Sequence, residues 1–163
     1  WYEDPYKDGG VSINGNQVLS QKLSTPILVG EHMRNLETSV DMLVNGASFF
    51  SRADPDYDGG ITGCHKLVAA SEGLGMDCEI HACGPPMRQL MAASRNSNFY
   101  EVNLLHPKCV NPWSLPVYND SYSDQIDCID KNGNVKVSDQ PGLGIEYDWK
   151  YIEKNRIQSL IIK

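Results

Sequence analysis

The sequence has no long apolar run, little positive charge and no paired-cysteine motif, and each shortage excludes a class of protein. Its hydrophobic stretches fall well short of the roughly 20 residues that a membrane-spanning helix needs. Only 14 Lys and Arg stand against 21 Asp and Glu, a formal net charge of −7. Nucleic acid asks for a basic surface, so it is excluded as a partner, and so is a membrane. The five cysteines, Cys64, Cys78, Cys83, Cys109 and Cys128, are odd in number and form no CxxC pair. They read as free thiols in a reducing cytoplasm, not as a disulfide framework or a zinc site. Trp1-Tyr2-Glu3-Asp4-Pro5 has neither the basic start nor the apolar core of a signal peptide, and the expected location is cytoplasmic. The Gly59-Gly60 pair lacks the lysine of a Walker loop and the pattern GxGxxG. It reads as a tight turn into a helix, not as a phosphate cradle. No internal repeat or low-complexity segment is present.

What is present is an ordinary globular composition, 40% hydrophobic and 21% charged over 163 residues. That length supports a real core but falls short of the about 250 residues of a complete (β/α) barrel. Trp1-Tyr2-Glu3 reads as the last residues of a strand that begins upstream, so the chain is expected to be a piece of something longer. Within it, Glu3, Glu31, Asp54, His81 and Glu101 each close a short apolar run, at intervals of 28, 23, 27 and 20 residues. Repeated strand–helix units of that length build a (β/α) barrel, whose chemistry sits at the C-terminal ends of its strands.

The elements between these residues follow from pattern. Residues 4–15 are rich in Pro, Gly and Asp and read as a loop, followed by a short helix over 17–23. Pro26–Gly30 is a buried strand delivering Glu31. Leu36, Val40 and Leu43 have helical spacing, with Ser39 and Asp41 on the wet face. Residues 47–53 form the next strand, residues 59–71 the longest helix, and residues 77–80 a short strand before His81. Pro85-Pro86 opens a helix through residue 93, since a first turn tolerates proline. Phe99-Tyr100 lead a last barrel strand to Glu101. Past His106 the pattern changes, giving two expected units, 1–106 and 107–163. In the second, residues 126–137 read as a β-hairpin with Asn132-Gly133 at its tip, residues 141–144 as a turn, and residues 147–152 as a terminal helix.

Trp1-Tyr2-Glu3-Asp4-Pro5, Gly30-Glu31, Asp54 five residues before Gly59-Gly60-Ile61-Thr62-Gly63, His81 and Glu101 stand in one order and spacing. With these motifs the chain resembles the enolase superfamily, in its mandelate racemase and muconate lactonizing enzyme subgroup. The likeness is close over residues 1–107 and looser through residue 146. It implies an α/β fold, the C-terminal part of a TIM-like (β/α) barrel, with a hairpin-bearing tail that returns to a capping domain. By that resemblance Glu3 and Glu31 are two of three carboxylates that hold Mg²⁺. Asp54 and His81 are a dyad in which the imidazole is the base, and Glu101 hydrogen-bonds the substrate carboxylate as a protonated donor with a raised pKa. The third metal carboxylate and a lysine base belong to upstream strands that this chain does not contain. The implied reaction is Mg²⁺-dependent removal of the proton next to a carboxylate, as in an acid-sugar dehydratase giving a 2-keto-3-deoxy acid. Racemases, epimerases and cycloisomerases of related hydroxy acids share that step. An inactive fragment that only folds and associates is the reading from a different class. The complete enzyme is expected to be a homo-oligomer acting on a small sugar acid.

The chemistry asks for these residue types. The α-proton is weakly acidic, so the charge left behind needs a hard cation, and Mg²⁺ takes about six oxygen ligands. An imidazole titrating at about 6.5 serves as a base once a carboxylate fixes its tautomer. Alone, each residue has a bland reading: Glu3 a strand-end carboxylate, Glu31 a turn cap, His81 a satisfied buried histidine, Glu101 an outward strand residue. Asp54 alone would belong to the solvated acidic loop that holds Asp56 and Asp58. His32 could reach substrate or simply fill a loop. His65 reads as structural, and Arg52 as a partner for nearby carboxylates outside the catalytic set.

Overall fold

The computed structural model describes residues 1–7, 11–106, 108–111 and 115–161. Residues 8–10 of the first loop and Pro107 at the expected boundary lie outside the described residues. The chain divides into two compact units, Trp1–Glu101 and Val102–Lys163.

The first unit is a four-stranded, all-parallel sheet whose strands lie in chain order. The strands are β1 (Tyr2–Glu3), β2 (Ile27–Leu28), β3 (Phe50–Ala53) and β4 (Asp77–Ile80), joined through helices α1 (Ile13–Ser20), α2 (Leu36–Val44) and α3 (Gly60–Gly73), with α4 (Pro85–Ala92) after β4. Parallel neighbours need such crossovers, and this order with one helix per step is the start of a barrel wall. Because every strand runs the same way, their C-terminal ends share one edge.

Alternation along the strands sorts the side chains between two faces. Ala53, Cys78 and Ile80 pack with Leu67, Val68, Met87 and Leu90 beneath α3 and α4. Ile27 and Val29 pack with Met33, Met42 and Ala47 around α2. Burial in this core pushes the thiols of Cys64 and Cys78 up to about 12. The opposite face carries Glu3, Arg52 and Glu79, with Trp1 against Phe50 and Phe99 at ring distances of 5.7 and 5.5 Å. Gly63 is required where α3 turns off the acidic loop, because a Cβ there would fall 1.6 Å from the Asp58 carbonyl oxygen.

Several expectations need correction. The first helix starts at Ile13, not residue 17, because Ser12 caps it by accepting from the Gly15 N–H. Ser39 is buried, since its hydroxyl donates to the Asn35 carbonyl at 2.9 Å and so carries no unmet polar group into the core. The strand expected at Phe99-Tyr100 does not form. The buried carboxylate of Glu79 accepts the backbone N–H groups of Asn98 (3.0 Å) and Phe99 (3.2 Å), which a ladder would otherwise use. Glu79 thereby anchors the segment that delivers Glu101. Glu79→Ala, which orphans those donors, is expected to lower stability by about 2–4 kcal/mol in denaturant unfolding. An unchanged midpoint would show that the segment is held elsewhere.

In the second unit the expected hairpin over 126–137 is reduced to a 3₁₀ turn at Ile126–Cys128 and one antiparallel bridge, Ile129 with Val135. Asp130 explains the difference. Its side chain accepts from the N–H groups of Asn132 (2.8 Å) and Asn134 (2.9 Å), which builds a wider turn than a two-residue Asn-Gly tip. The terminal helix α5 spans Trp149–Asn155, capped by Asp148. No described helix is long and apolar enough to cross a membrane.

Candidate active site

Glu3 is the last residue of β1, Asp54 follows β3 directly, and His81 follows β4 directly. Glu31 stands three residues beyond β2, after a glycine that the packing demands. Gly30 has φ +146°, and a Cβ on it would lie 3.0 Å from the Arg52 backbone nitrogen. Glu101 reaches the same edge from an irregular segment, held there by contacts with Arg52 and Ala82. Two non-glycine residues adopt left-handed backbone here, Asp4 at φ 40° after Glu3 and Ala82 at φ 64° after His81. Strain of this kind persists where surrounding contacts enforce it, and it gathers at functional sites.

The dyad is formed. His81 Nδ1 lies 2.5 Å from Asp54 Oδ2, and Asp54 is almost wholly buried. With Nδ1–H donating to Asp54, the lone pair of Nε2 is left facing the mouth, where Glu31 Oε2 stands 3.3 Å away. Burial by itself pulls the imidazole pKa down. The hydrogen bond to Asp54 and the charge of Glu31 outweigh it and leave His81 above the usual 6.5. Burial is also the first cause at Glu31, whose pKa is raised above 4.5. The charges of Asp4 and Glu3 add to that shift, while His81 and Arg52 oppose it.

Arg52 binds this group together, although its side chain is only 4% exposed. Its Nη2 donates to Glu101 Oε1 and forms an ion pair with Glu3 Oε1 at 2.9 Å, and its Nε lies 3.6 Å from Glu31 Oε2. The second oxygen of Glu101 accepts from the Ala82 N–H. Both oxygens of Glu101 therefore accept hydrogen bonds from the chain itself. The pairing expected of Arg52 with neighbouring carboxylates is present, and alternation in Phe50-Ser51-Arg52-Ala53 carries the signal. Ser51 bonds Ser71 of α3 and Ala53 packs beneath it, so Arg52 must take the other face. His32 is exposed beside Glu31 (3.4 Å) and Asp4 (3.8 Å), and ligand atoms of Asp4, Glu31 and His32 all lie within 4.8 Å of one another. The acidic loop is not wholly solvated either, because Asp58 accepts the Asp54 N–H at 2.9 Å and steadies the dyad.

The chain is matched by a known family. The profile described as Enolase C-terminal domain-like covers residues 1–151. The chain belongs to that family. Within the enolase superfamily it falls in the mandelate racemase and muconate lactonizing enzyme subgroup, as its motifs implied. Among solved structures it is similar to D-glucarate dehydratase from Agrobacterium tumefaciens, complexed with magnesium. That likeness has a TM-score of 0.83 and 30% identity, over 97% of this chain and 40% of the other. Among curated proteins it is similar to a D-gluconate/D-galactonate dehydratase of Picrophilus torridus, at 29% identity over 133 residues, 81% of this chain and 32% of that protein. A D-galactonate dehydratase of Xanthomonas euvesicatoria pv. vesicatoria is 24% identical over 145 residues, 83% of this chain and 36% of that protein. This member of the enolase C-terminal domain-like family thus spans about a third of the length of the curated relatives it matches.

Proposed function

We propose that the protein carrying this chain is a Mg²⁺-dependent hydro-lyase that dehydrates a sugar acid to a 2-keto-3-deoxy acid. The observation that carries this reading is the Asp54–His81 pair at 2.5 Å, facing Glu31 across the same strand-end edge. The donor set suits the ion. Glu3 and Glu31 are hard oxygen ligands that already converge on a positive charge, and Asp4 Oδ1 is buried without accepting a hydrogen bond. Glu3 and Glu31 would hold the Mg²⁺, which supplies Lewis-acid polarisation of the substrate carboxylate.

The residues of the chain do the rest. Asp54 fixes the His81 tautomer, so that Nε2 can take the α-proton of the sugar acid. The same imidazolium then gives that proton to the β-hydroxyl as its C–O bond breaks. Water leaves, and the resulting enol becomes the 2-keto acid. Glu101, its oxygens bound by Arg52 and the Ala82 N–H, frames the side of the site next to His81, and His32 stands at the rim where substrate hydroxyls would pass. Units 1–106 and 107–163 are proposed as barrel part and tail. The complete enzyme is proposed to work in the cytoplasm as a homo-oligomer. The 163 residues alone are expected to be inactive, because a metal carboxylate and a lysine are sought upstream.

The test is a panel of hexonic and hexaric acids incubated with the full-length protein and Mg²⁺, read for 2-keto-3-deoxy product and for deuterium uptake at the α-carbon. One acid is expected to give both. Deuterium uptake without product would shift the reading to a racemase or epimerase. Neither signal with any acid would overturn it.

A further inference from the structure

We infer that Arg52 is a built-in counter-cation that competes with the dication for Glu3 and Glu31 and so sets how tightly the ion is held. The inference rests on the metal site proposed above. Five carboxylates, those of Glu3, Asp4, Glu31, Asp54 and Glu101, gather at one edge of the sheet, and Arg52 touches three of them. From β4, its register partner Glu79 faces it as well, but the Glu79 oxygens are committed to Asn98 and Phe99. His81 Nε2 meets the same Glu31 oxygen, Oε2, at 3.3 Å that Arg52 Nε faces at 3.6 Å.

The arrangement is unequal in a way that suits an exchange. Nη2 donates to Glu101 and pairs by charge with Glu3 at 2.9 Å, whereas Nε faces Glu31 at 3.6 Å and is buried without a hydrogen-bond partner. Arg52 thus holds Glu3 and Glu31 by charge and Glu101 by a hydrogen bond. When Glu3 and Glu31 turn to a dication, the guanidinium keeps Glu101 and is not stranded. A guanidinium beside a divalent ion repels it, and the Arg52 side chain, only 4% exposed, leaves little water to screen its own charge. Removing that charge therefore tightens ion binding. A merely structural Arg52 would instead loosen it by letting the carboxylates drift.

The experiment is calorimetry with MgCl₂ at pH 8 and low salt on the full-length protein and its Arg52→Met, Arg52→Lys and Glu101→Gln variants. Arg52→Met is expected to bind Mg²⁺ roughly tenfold more tightly or better, with a larger thermal shift on adding the ion. Arg52→Lys, which keeps the charge, should stay near wild type. Glu101→Gln releases Arg52 to Glu3 and Glu31, so it should bind the ion several-fold more weakly although Glu101 is not a proposed ligand. It also serves as the deciding variant if Arg52→Met does not fold. Wild-type binding with no gain in Arg52→Met, or with no loss in Glu101→Gln, overturns this inference and leaves the proposed function intact. Binding by Arg52→Met but not by wild type supports it, and binding by neither overturns both.

Discussion

His81→Asn removes hydrogen–deuterium exchange at the substrate α-carbon by about 10²–10⁴-fold, the usual worth of a positioned base. The argument is geometric. Asn can still donate its amide to Asp54, where Nδ1 now sits at 2.5 Å, but it has no basic nitrogen in the place of Nε2. His81 is partly exposed, so the fold should survive with its thermal midpoint little moved. Proton NMR in D₂O with Mg²⁺ and the turned-over sugar acid reads the loss directly, and exchange at the wild-type rate would take His81 out of the reaction. The pH dependence carries a second check. Only neutral imidazole accepts a proton, and the His81 pKa is raised above 6.5 by Asp54 and Glu31 against burial. Exchange should therefore be full at alkaline pH and fall as pH drops through a value above 6.5. Asp54→Asn removes one raising partner and leaves the burial, so the limb should move to lower pH while the rate drops. A limb that stays in place would uncouple Asp54 from His81.

Changing Glu3 and Glu31 together to Gln abolishes Mg²⁺ binding. Even outer partners of metal ligands cost about 10–100-fold in affinity, so losing two ligands should exceed roughly 100-fold and flatten the calorimetric isotherm. Amides keep the shape of the side chains, and Arg52 keeps Glu101, so folding is not the variable being tested. The sign of the pH effect follows from Glu31. Burial, with Asp4 and Glu3, holds its pKa above 4.5 in spite of His81 and Arg52. A proton competes with the ion for that carboxylate, so wild-type affinity should fall as pH drops through this raised value. Unchanged affinity in the double variant would remove the metal assignment.

How far the chain was legible depends on whether the deciding force was local. β4 and the helix after it were readable because alternation in Asp77-Cys78-Glu79-Ile80 and a proline pair fix them without outside help. The strand at Phe99-Tyr100 was misread because its amides are claimed by Glu79, which lies about twenty residues away along the chain. Ser39 was misplaced because a hydroxyl bonded to its own helix counts as polar in a pattern but not in a core. The hairpin was narrowed by the Asp130 side chain, which competed with the ladder for the same amides.

By itself the sequence determined the order and spacing of Glu3, Glu31, Asp54, His81 and Glu101, and with them the family and the parallel strand–helix repeat. Apolar runs and turn residues act over short distances, and a repeat of such units has few ways to fold. Only the tertiary structure decided that Arg52 joins Glu3, Glu31 and Glu101, that Nδ1 of His81 meets Asp54, and that Glu101 accepts at both oxygens. Those are contacts between residues 19 to 49 apart in the chain. Their energy depends on distance, burial and the competition among neighbouring charges, and none of these is fixed until the strands lie side by side.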